Sequence, residues 1–294
     1  MSVTTDPVAL NQWIPCAWNG QIRPGATRDT QILGQPIRVT CAPDGAISCN
    51  VLDGAAGAVG RALPVTQKFE IIFATLGSDP RPLPKIHEFD EPGRRIANCG
   101  SVGVNTSPFR IVENFLDMAH FCFVHTDILG AVDQTEVLSY KCEVRPDADE
   151  VWATDCRFFQ PAASKSAATN GKGQLTHYKY RVMSPFSVML YKNVFGREDL
   201  DDAICVFIQP KTETECIAYM TMALVDEGST MTQIIDFQQS IFLQDRIILE
   251  NQRPALLSFA PNAEIPTKAD LSSIAFRRWL KASGITFGTV KEAA

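Results

Sequence analysis

Glu113-Asn114-Phe115-Leu116-Asp117-Met118-Ala119-His120-Phe121-Cys122-Phe123-Val124-His125 is the stretch on which the reading of this chain turns. The sequence has four histidines, His87, His120, His125 and His177, and two stand here, five apart, with a carboxylate three residues ahead of the first. On a regular helix a five-residue step rotates the second side chain about 140° from the first. Both imidazoles can face one ion only if the helix ends or distorts between them. Phe121, Phe123 and Val124 are aromatic or β-branched, so helix propensity weakens where that distortion is needed.

A buried amphipathic helix, with Phe115, Leu116, Phe121 and Val124 in the core, would account for a lone histidine as a satisfied polar group. A pair framed by Asn114 and Asp117 favours a metal, because ligating imidazoles have polar partners around them. Two imidazoles and one carboxylate on one side of an ion make the facial triad of non-heme Fe(II) sites, with open positions where O2 and substrate meet.

The order Asn114-x-x-Asp117-x-x-His120-x4-His125 resembles the iron motif of Rieske non-heme iron oxygenases, in the spacing of their aromatic O- and N-demethylase branch. The resemblance implies that His120 and His125 bind a mononuclear Fe(II), with O2 as co-substrate. It implies that Asp117, supported by Asn114, relays electrons from a Rieske cluster in a neighbouring subunit. A third ligand must then come from far downstream.

The whole chain bounds this reading. Its 294 residues suit one large or two modest domains, and 45% hydrophobic with 20% charged residues is a soluble globular composition. A net charge of -6 argues against nucleic acid, since phosphate binding needs a basic face. Met1 to Leu10 shows no basic segment and no long apolar run, so no membrane span or signal peptide is expected and the location reads as cytoplasmic. Nine cysteines, an odd number, read as free thiols. No Cys-x-His occurs, and the single Cys-x-x-His, Cys122 to His125, lies inside the iron motif. A Rieske 2Fe–2S cluster takes two cysteines and two histidines, so the chain is expected to hold none.

Residues 13–100 read as β-rich, with strands at Trp13-Ile14-Pro15, Gln31 to Gly34, Pro36 to Val39 and Phe69 to Gly77, and a turn at Pro43-Asp44-Gly45. The tryptophan-proline entry, Leu33-Gly34, Asp44-Gly45 and Leu76-Gly77 resemble the frame of a Rieske domain. Ala46 to Leu63 has no histidine where the cluster loops would sit, which implies degenerate loops; Cys41, Cys49 and Cys99 read as small buried hydrophobes. Pro80 to Arg95, carrying His87, reads as a crossing segment between domains. Six strands are expected between Glu136 and Val225, with His177 on an alternating one. Pro161 to Gly173 reads as a mobile insertion or a lid. Strands followed by helix argue an antiparallel sheet with helices on one face, and the family's helix-grip catalytic domain matches this. The fold class is α+β: a degenerate Rieske-like β domain over 1–97, then a helix-grip domain over 98–294.

Residues 230–252 read as a helix with Ile234, Phe237, Ile241 and Ile248 on its apolar side, and Pro254 ends it. By resemblance Asp245, after Gln244, is the third iron ligand, with Asp236 and Glu250 behind it. A terminal helix over 269–283 docks through Trp279 and Leu280. The most similar part of the family, its cluster-lacking methylxanthine demethylases, implies hydroxylation of an N-methyl group of 7-methylxanthine to give formaldehyde and xanthine. Electrons would come from NAD(P)H through a reductase and a Rieske-bearing partner, in a trimer or mixed hetero-oligomer. An O-demethylase of another aromatic, a non-catalytic scaffold and a structural zinc site are the other readings. Zinc is the poorest of these, since structural zinc takes four protein ligands and three are found.

Overall fold

Short runs of β-branched and apolar residues, separated by turn residues, fold the first third of the chain into two antiparallel sheets. The computed structural model describes residues 3–54, 57–161, 173–194, 196–225 and 228–291. After the single-turn helix α1 (Pro7–Leu10), strand β1 (Ile14–Trp18) pairs with β7 (Ile71–Ala74), and β7 with β6 (Val65–Lys68). Strands β2 (Thr27–Ile32), β3 (Gln35–Cys41), β4 (Ile47–Asp53) and β5 (Ala58–Leu63) form a meander.

Two expected strands hold only in part, as Gln31-Ile32 of β2 and Ile71–Ala74 of β7, and each turns at one end. Leu33 and Gly34 have φ of 51° and 86° and close the β2–β3 hairpin, while Phe69 and Glu70, at 53° and 62°, close β6–β7. Two residues with positive φ match the right-handed twist of the flanking strands. Leu33 and Phe69 are apolar because these turns are buried: the Leu33 amide donates to the Pro210 carbonyl at 2.7 Å, and the Phe69 ring stacks on Phe207. Cys41, Cys49 and Cys99 are buried thiols in the core, and burial pushes Cys49 and Cys99 up to about 12.

The remainder forms a seven-stranded antiparallel sheet from β8 (Arg95–Val104), β9 (Lys141–Arg145), β10 (Glu150–Gln160), β11 (Gln174–Ser184), β12 (Ser187–Val194), β13 (Arg197–Pro210) and β14 (Cys216–Leu224), in the spatial order β8-β14-β13-β12-β11-β10-β9. The chain leaves β8 through α2 (Pro108–Leu116) and α3 (Phe121–Val124), re-enters at the far edge and meanders back to β14. Helices α4 (Met231–Asn251) and α5 (Leu271–Ser283) follow. Of Pro161 to Gly173, read as a mobile insertion or a lid, residues 162–172 lie outside the described residues.

Both faces of this sheet are covered. On β13, Val206 and Ile208 join the core that includes Ile234 and Phe242 of α4. Cys205 and Phe207 join a second core with Ile71 and Phe73 of β7, so the smaller sheet covers the face away from the helices. Such two-sided burial is why β13 is apolar at nearly every central position.

Helix α4 is positioned by its two ends. Thr230 accepts from the Gln233 amide while Gln233 reaches back to the Thr230 amide, a reciprocal cap. The Ser229 carbonyl accepts from Arg95 at the start of β8, and Glu250 accepts from the Asn105 amide just past its end. Twenty-one helical residues span about 31 Å, close to the length of the ten-residue β8 at about 33 Å. The helix therefore runs the full strand, and Asp245 arrives beside the segment that follows the end of α2. Its buried positions are Ile234, Gln238, Phe242, Asp245 and Leu249. The expected stripe differs: Phe237 and Ile241 are half-buried and Ile248 is 43% exposed.

Candidate metal centre

Helix α2 starts where expected from its residues, with Ser107 accepting from the Phe109 amide and Pro108 in the first turn. It stops at Leu116, because Asp117 is extended, at φ -84° and ψ 123°. The break thus falls ahead of His120. His120 and His125 then flank the one-turn helix α3 at its two ends, and the non-helical His125, at φ -113° and ψ 38°, brings the second ring beside the first.

After His125 the chain doubles back. The Thr126 hydroxyl donates to the Cys122 carbonyl at 2.8 Å, and the Asp127 amide donates to the Gly130 carbonyl at 2.8 Å. Gly130 lies against α3 so closely that a Cβ there would meet the Cys122 amide nitrogen at 2.5 Å. Glu113 anchors α2 to α5 by accepting from Arg277, and Arg110 pairs with Glu264 at 2.7 Å.

The three ligand candidates meet. His120 Nε2 and His125 Nε2 are 3.1 Å apart, and Asp245 Oδ1 lies 3.3 Å from the first and 3.0 Å from the second. Three donors at right angles around an ion at about 2.1 Å stand about 3.0 Å from one another. The triangle therefore has the size a facial triad requires. Asp245 Oδ1 is buried against the two imidazole nitrogens, and once both Nε2 atoms are deprotonated a cation is what satisfies it. Among the described residues, His120, His125 and Asp245 are the group of three able to share one ion. Two nitrogens and one carboxylate oxygen with free positions suit Fe(II) better than structural zinc.

The other ring nitrogens have acceptors. His125 Nδ1 lies 2.7 Å from Gln244 Oε1, and His120 Nδ1 lies 3.3 Å from Asp117 Oδ2. With Nδ1 donating to these oxygens, each Nε2 presents its lone pair to the ion. Asp117 is held in turn by the Ala119 amide, which donates to Oδ1 at 2.7 Å. Burial disfavours the charged His120 ring, but Asp117 and Asp245 outweigh it and hold its pKa up at about 9. Burial likewise raises Asp245, and the two imidazoles outweigh it and hold the carboxyl down at about 2. A metal entering here displaces the imidazole proton, since the ring ligates only when neutral.

The site separates two concavities. On the inner side, an apolar cavity between the sheet and α4 is lined by all three ligand candidates and by rings and chains such as Phe115, Phe121, Leu190 and Ile241. On the outer side, a groove includes Asp117, Ile248, Ile265 and Arg277. Asn114 and His120 border both. Asp236 is exposed, and Glu250 is engaged with Asn105 and Arg246, so neither reaches the triangle. His87 and His177 are exposed on other surfaces. The roles of Gln244, Gln160, Gln238 and Tyr180 at this site were not visible from composition. For Gln244 the signal was present, since it immediately precedes Asp245.

Residues 104–284 match the family described as Vanillate O-demethylase oxygenase C-terminal domain. The chain is 39% identical to the probable methylxanthine N7-demethylase NdmC of Pseudomonas sp. (strain TJI-51), over 96% of this chain and 97% of that protein. It is 22% identical to the methylxanthine N3-demethylase NdmB of Pseudomonas putida, over 77% of this chain and 61% of that one. The solved structure of NdmB from Pseudomonas putida CBB5 covers 94% of this chain and 92% of its own at TM-score 0.71 and 17% identity. Dicamba monooxygenase bound to dicamba covers 94% and 98% at TM-score 0.70 and 15% identity. These structural likenesses establish a shared fold.

Proposed function

The chain belongs to the Rieske non-heme iron oxygenase family, as a monooxygenase component, and from that premise we propose that it removes an N-methyl group from a methylxanthine, 7-methylxanthine by the likeness to NdmC. The observation that carries the reading is the triangle of His120, His125 and Asp245 at the wall of an apolar cavity. Fe(II) held by these three residues supplies O2 activation for inserting oxygen into a C–H bond of the substrate's N-methyl group. The balance is N–CH3 plus O2, two electrons and two protons giving N–CH2OH and water; the N–CH2OH group then loses formaldehyde and leaves N–H.

The chain's own residues set the rest. The apolar walls exclude water and take a flat ring. Gln244 and Asp117 orient the two imidazoles. Asp117 lies on the outer groove with its carboxylate against His120, which is where electrons from outside the chain would reach the site. Ile265, 92% exposed, and Ile248 give that groove an apolar rim for a partner's Rieske domain. The partner supplies the cluster because Ala46 to Leu63, the stretch that contains β4 and β5, carries no histidine. The same reading divides the chain into a Rieske-like β domain over 1–97 and a helix-grip domain over 98–294, places it in the cytoplasm, and makes it part of a trimer or mixed hetero-oligomer with NAD(P)H oxidised by a separate reductase. No helix among the described residues is long and apolar enough to cross a membrane.

Anaerobically purified protein should contain about one iron per chain and no acid-labile sulfide, as a three-ligand mononuclear site requires. Formaldehyde should appear from 7-methylxanthine only when a Rieske-bearing partner and reductase are added. Failure to take up Fe(II) under anaerobic loading would convert the reading to that of a scaffold subunit.

A further inference from the structure

One wall of the inner cavity is strand β11, whose alternate residues Thr176, Tyr178 and Tyr180 share a face and are all buried. Side chains stand roughly perpendicular to a sheet. The two tyrosines therefore rise from it into the core that also holds Phe109 of α2, Phe121 of α3 and Phe242 of α4, and both line the cavity. Phe121 meets Tyr178 edge-on with 6.2 Å between ring centroids, and Phe115 meets Tyr180 in the same way at 6.2 Å. Across the sheet, Tyr180 opposes Ala153 on β10 and Leu190 on β12. None of Phe115, Ala153 and Leu190 has a side-chain oxygen or nitrogen.

The polar groups of this wall are unequally served. The Thr176 hydroxyl donates to Gln160 Oε1 at 3.3 Å, and the Tyr178 hydroxyl has that of Thr176 beside it. The Tyr180 hydroxyl is buried with no hydrogen-bond partner, on a residue that is 1% exposed. Burial pushes this phenol well above its usual range, so it stays protonated and is available as a donor. A buried hydroxyl without an acceptor costs stability. Folding alone would be served as well by phenylalanine, the residue used nearby at Phe121 and Phe158. A donor that finds its acceptor only in a ligand selects for that ligand, because an analogue lacking the acceptor leaves the donor unpaired.

We propose that Tyr180 is a substrate-positioning residue that determines specificity: its hydroxyl donates to a carbonyl oxygen, carboxylate or ring nitrogen of a flat ring bound in the inner cavity with its methyl group toward His120, His125 and Asp245. This rests on the demethylase reading and narrows its substrate class to rings that carry an acceptor besides the atom that bears the methyl group.

The test measures binding by titration calorimetry to the iron-loaded full chain, with two pairs of probes, and the melting temperature without ligand. One pair is 7-methylxanthine and 1-methylindole, a bicycle with an N-methyl group and no further acceptor. The other is vanillate and methoxybenzene, which lacks the carboxylate and the hydroxyl. Wild type should bind the acceptor-bearing member of a pair more tightly. Tyr180→Phe removes the hydroxyl alone, so the ligand-free chain should melt at least as high as the wild type. The acceptor-bearing member should bind roughly three- to tenfold more weakly, the scale of a lost neutral hydrogen bond, and the acceptor-free member as before. In turnover KM should rise by the same factor. A merely structural hydroxyl would instead lower the melting temperature and leave the preference intact. If wild type prefers vanillate to methoxybenzene and binds neither bicycle, the methylxanthine reading falls, and Tyr180→Phe must still reduce that preference for the assignment to stand. A wild type without preference in either pair, or a preference that survives in Tyr180→Phe, overturns it; a preference that survives there and falls in Gln160→Leu would assign the donor to the Gln160 amide instead.

Discussion

Two kinds of backbone bring the iron ligands together. Asp245 lies well inside a 21-residue helix that is capped at Thr230 and tied to β8 at both ends, so its position is set by the length of the element. His120 and His125 flank four helical residues, too few to be stable alone. Their positions depend on the extended Asp117, the Thr126 hydroxyl and the close approach of Gly130. One ligand is therefore held by a rigid span and two by local contacts. The difference identifies where the site should be vulnerable.

The largest effect removes a ligand on either side. His125→Ala and Asp245→Ala should each reduce iron content to background in elemental analysis and abolish turnover, while far-UV circular dichroism stays that of the wild type. Full iron occupancy in either variant would break the triad and the comparison with it. Asp117→Ala comes next: it should retain iron yet lose turnover with the Rieske-bearing partner, because the carboxylate beside His120 on the outer groove is gone. Normal turnover in that variant would remove the relay.

How much of this could be read from the chain depended on how local each feature is. The histidine pair was legible because two imidazoles and Asp117 fall within nine residues of sequence, Asp117 to His125. Asp245 was legible only through a family likeness, since a carboxylate on an amphipathic helix is ordinarily solvated. The face of α4 was misread at Ile248 because apolar residues surround that helix, at Ile234, Ile235, Phe242, Ile247 and Leu249 among others, and periodicity cannot then choose a side. Leu33 and Phe69 concealed their turns because those turns are buried and carry strand-forming residues. The missing partner of Tyr180 was illegible because it follows from what β10, β12 and α2 bring beside the ring, a long-range property.

Gly130→Ala sharpens the local half of the comparison. Its new methyl group would sit 2.5 Å from the Cys122 nitrogen and 2.6 Å from the Phe121 carbonyl carbon, so α3 must shift. Iron affinity should fall clearly in a chelator competition, whereas Ile247→Ala, on the exposed side of α4, should leave it unchanged. Equal affinities in the two variants would show that α3 does not depend on that approach. Gln244→Ala removes the acceptor 2.7 Å from His125 Nδ1 and should weaken iron by roughly 10- to 100-fold, the usual consequence of losing such a partner.

Thr230→Ala probes the rigid half and should have the smallest effect. The substitution removes the hydroxyl that accepts from the Gln233 amide at 3.3 Å, which opens the reciprocal cap at the start of α4. An N-cap of this kind contributes about 1 kcal/mol, which lowers the melting temperature of a chain this size by roughly 2 °C. The four-turn distance along the helix to Asp245, and the second anchorage of Glu250 on the Asn105 amide, should leave iron affinity unaltered. Calorimetry and iron titration on the same sample therefore separate stability from ligand placement. A loss of iron in Thr230→Ala would mean that α4 transmits disorder along its length, and that the carboxylate ligand is held no more rigidly than the two imidazoles.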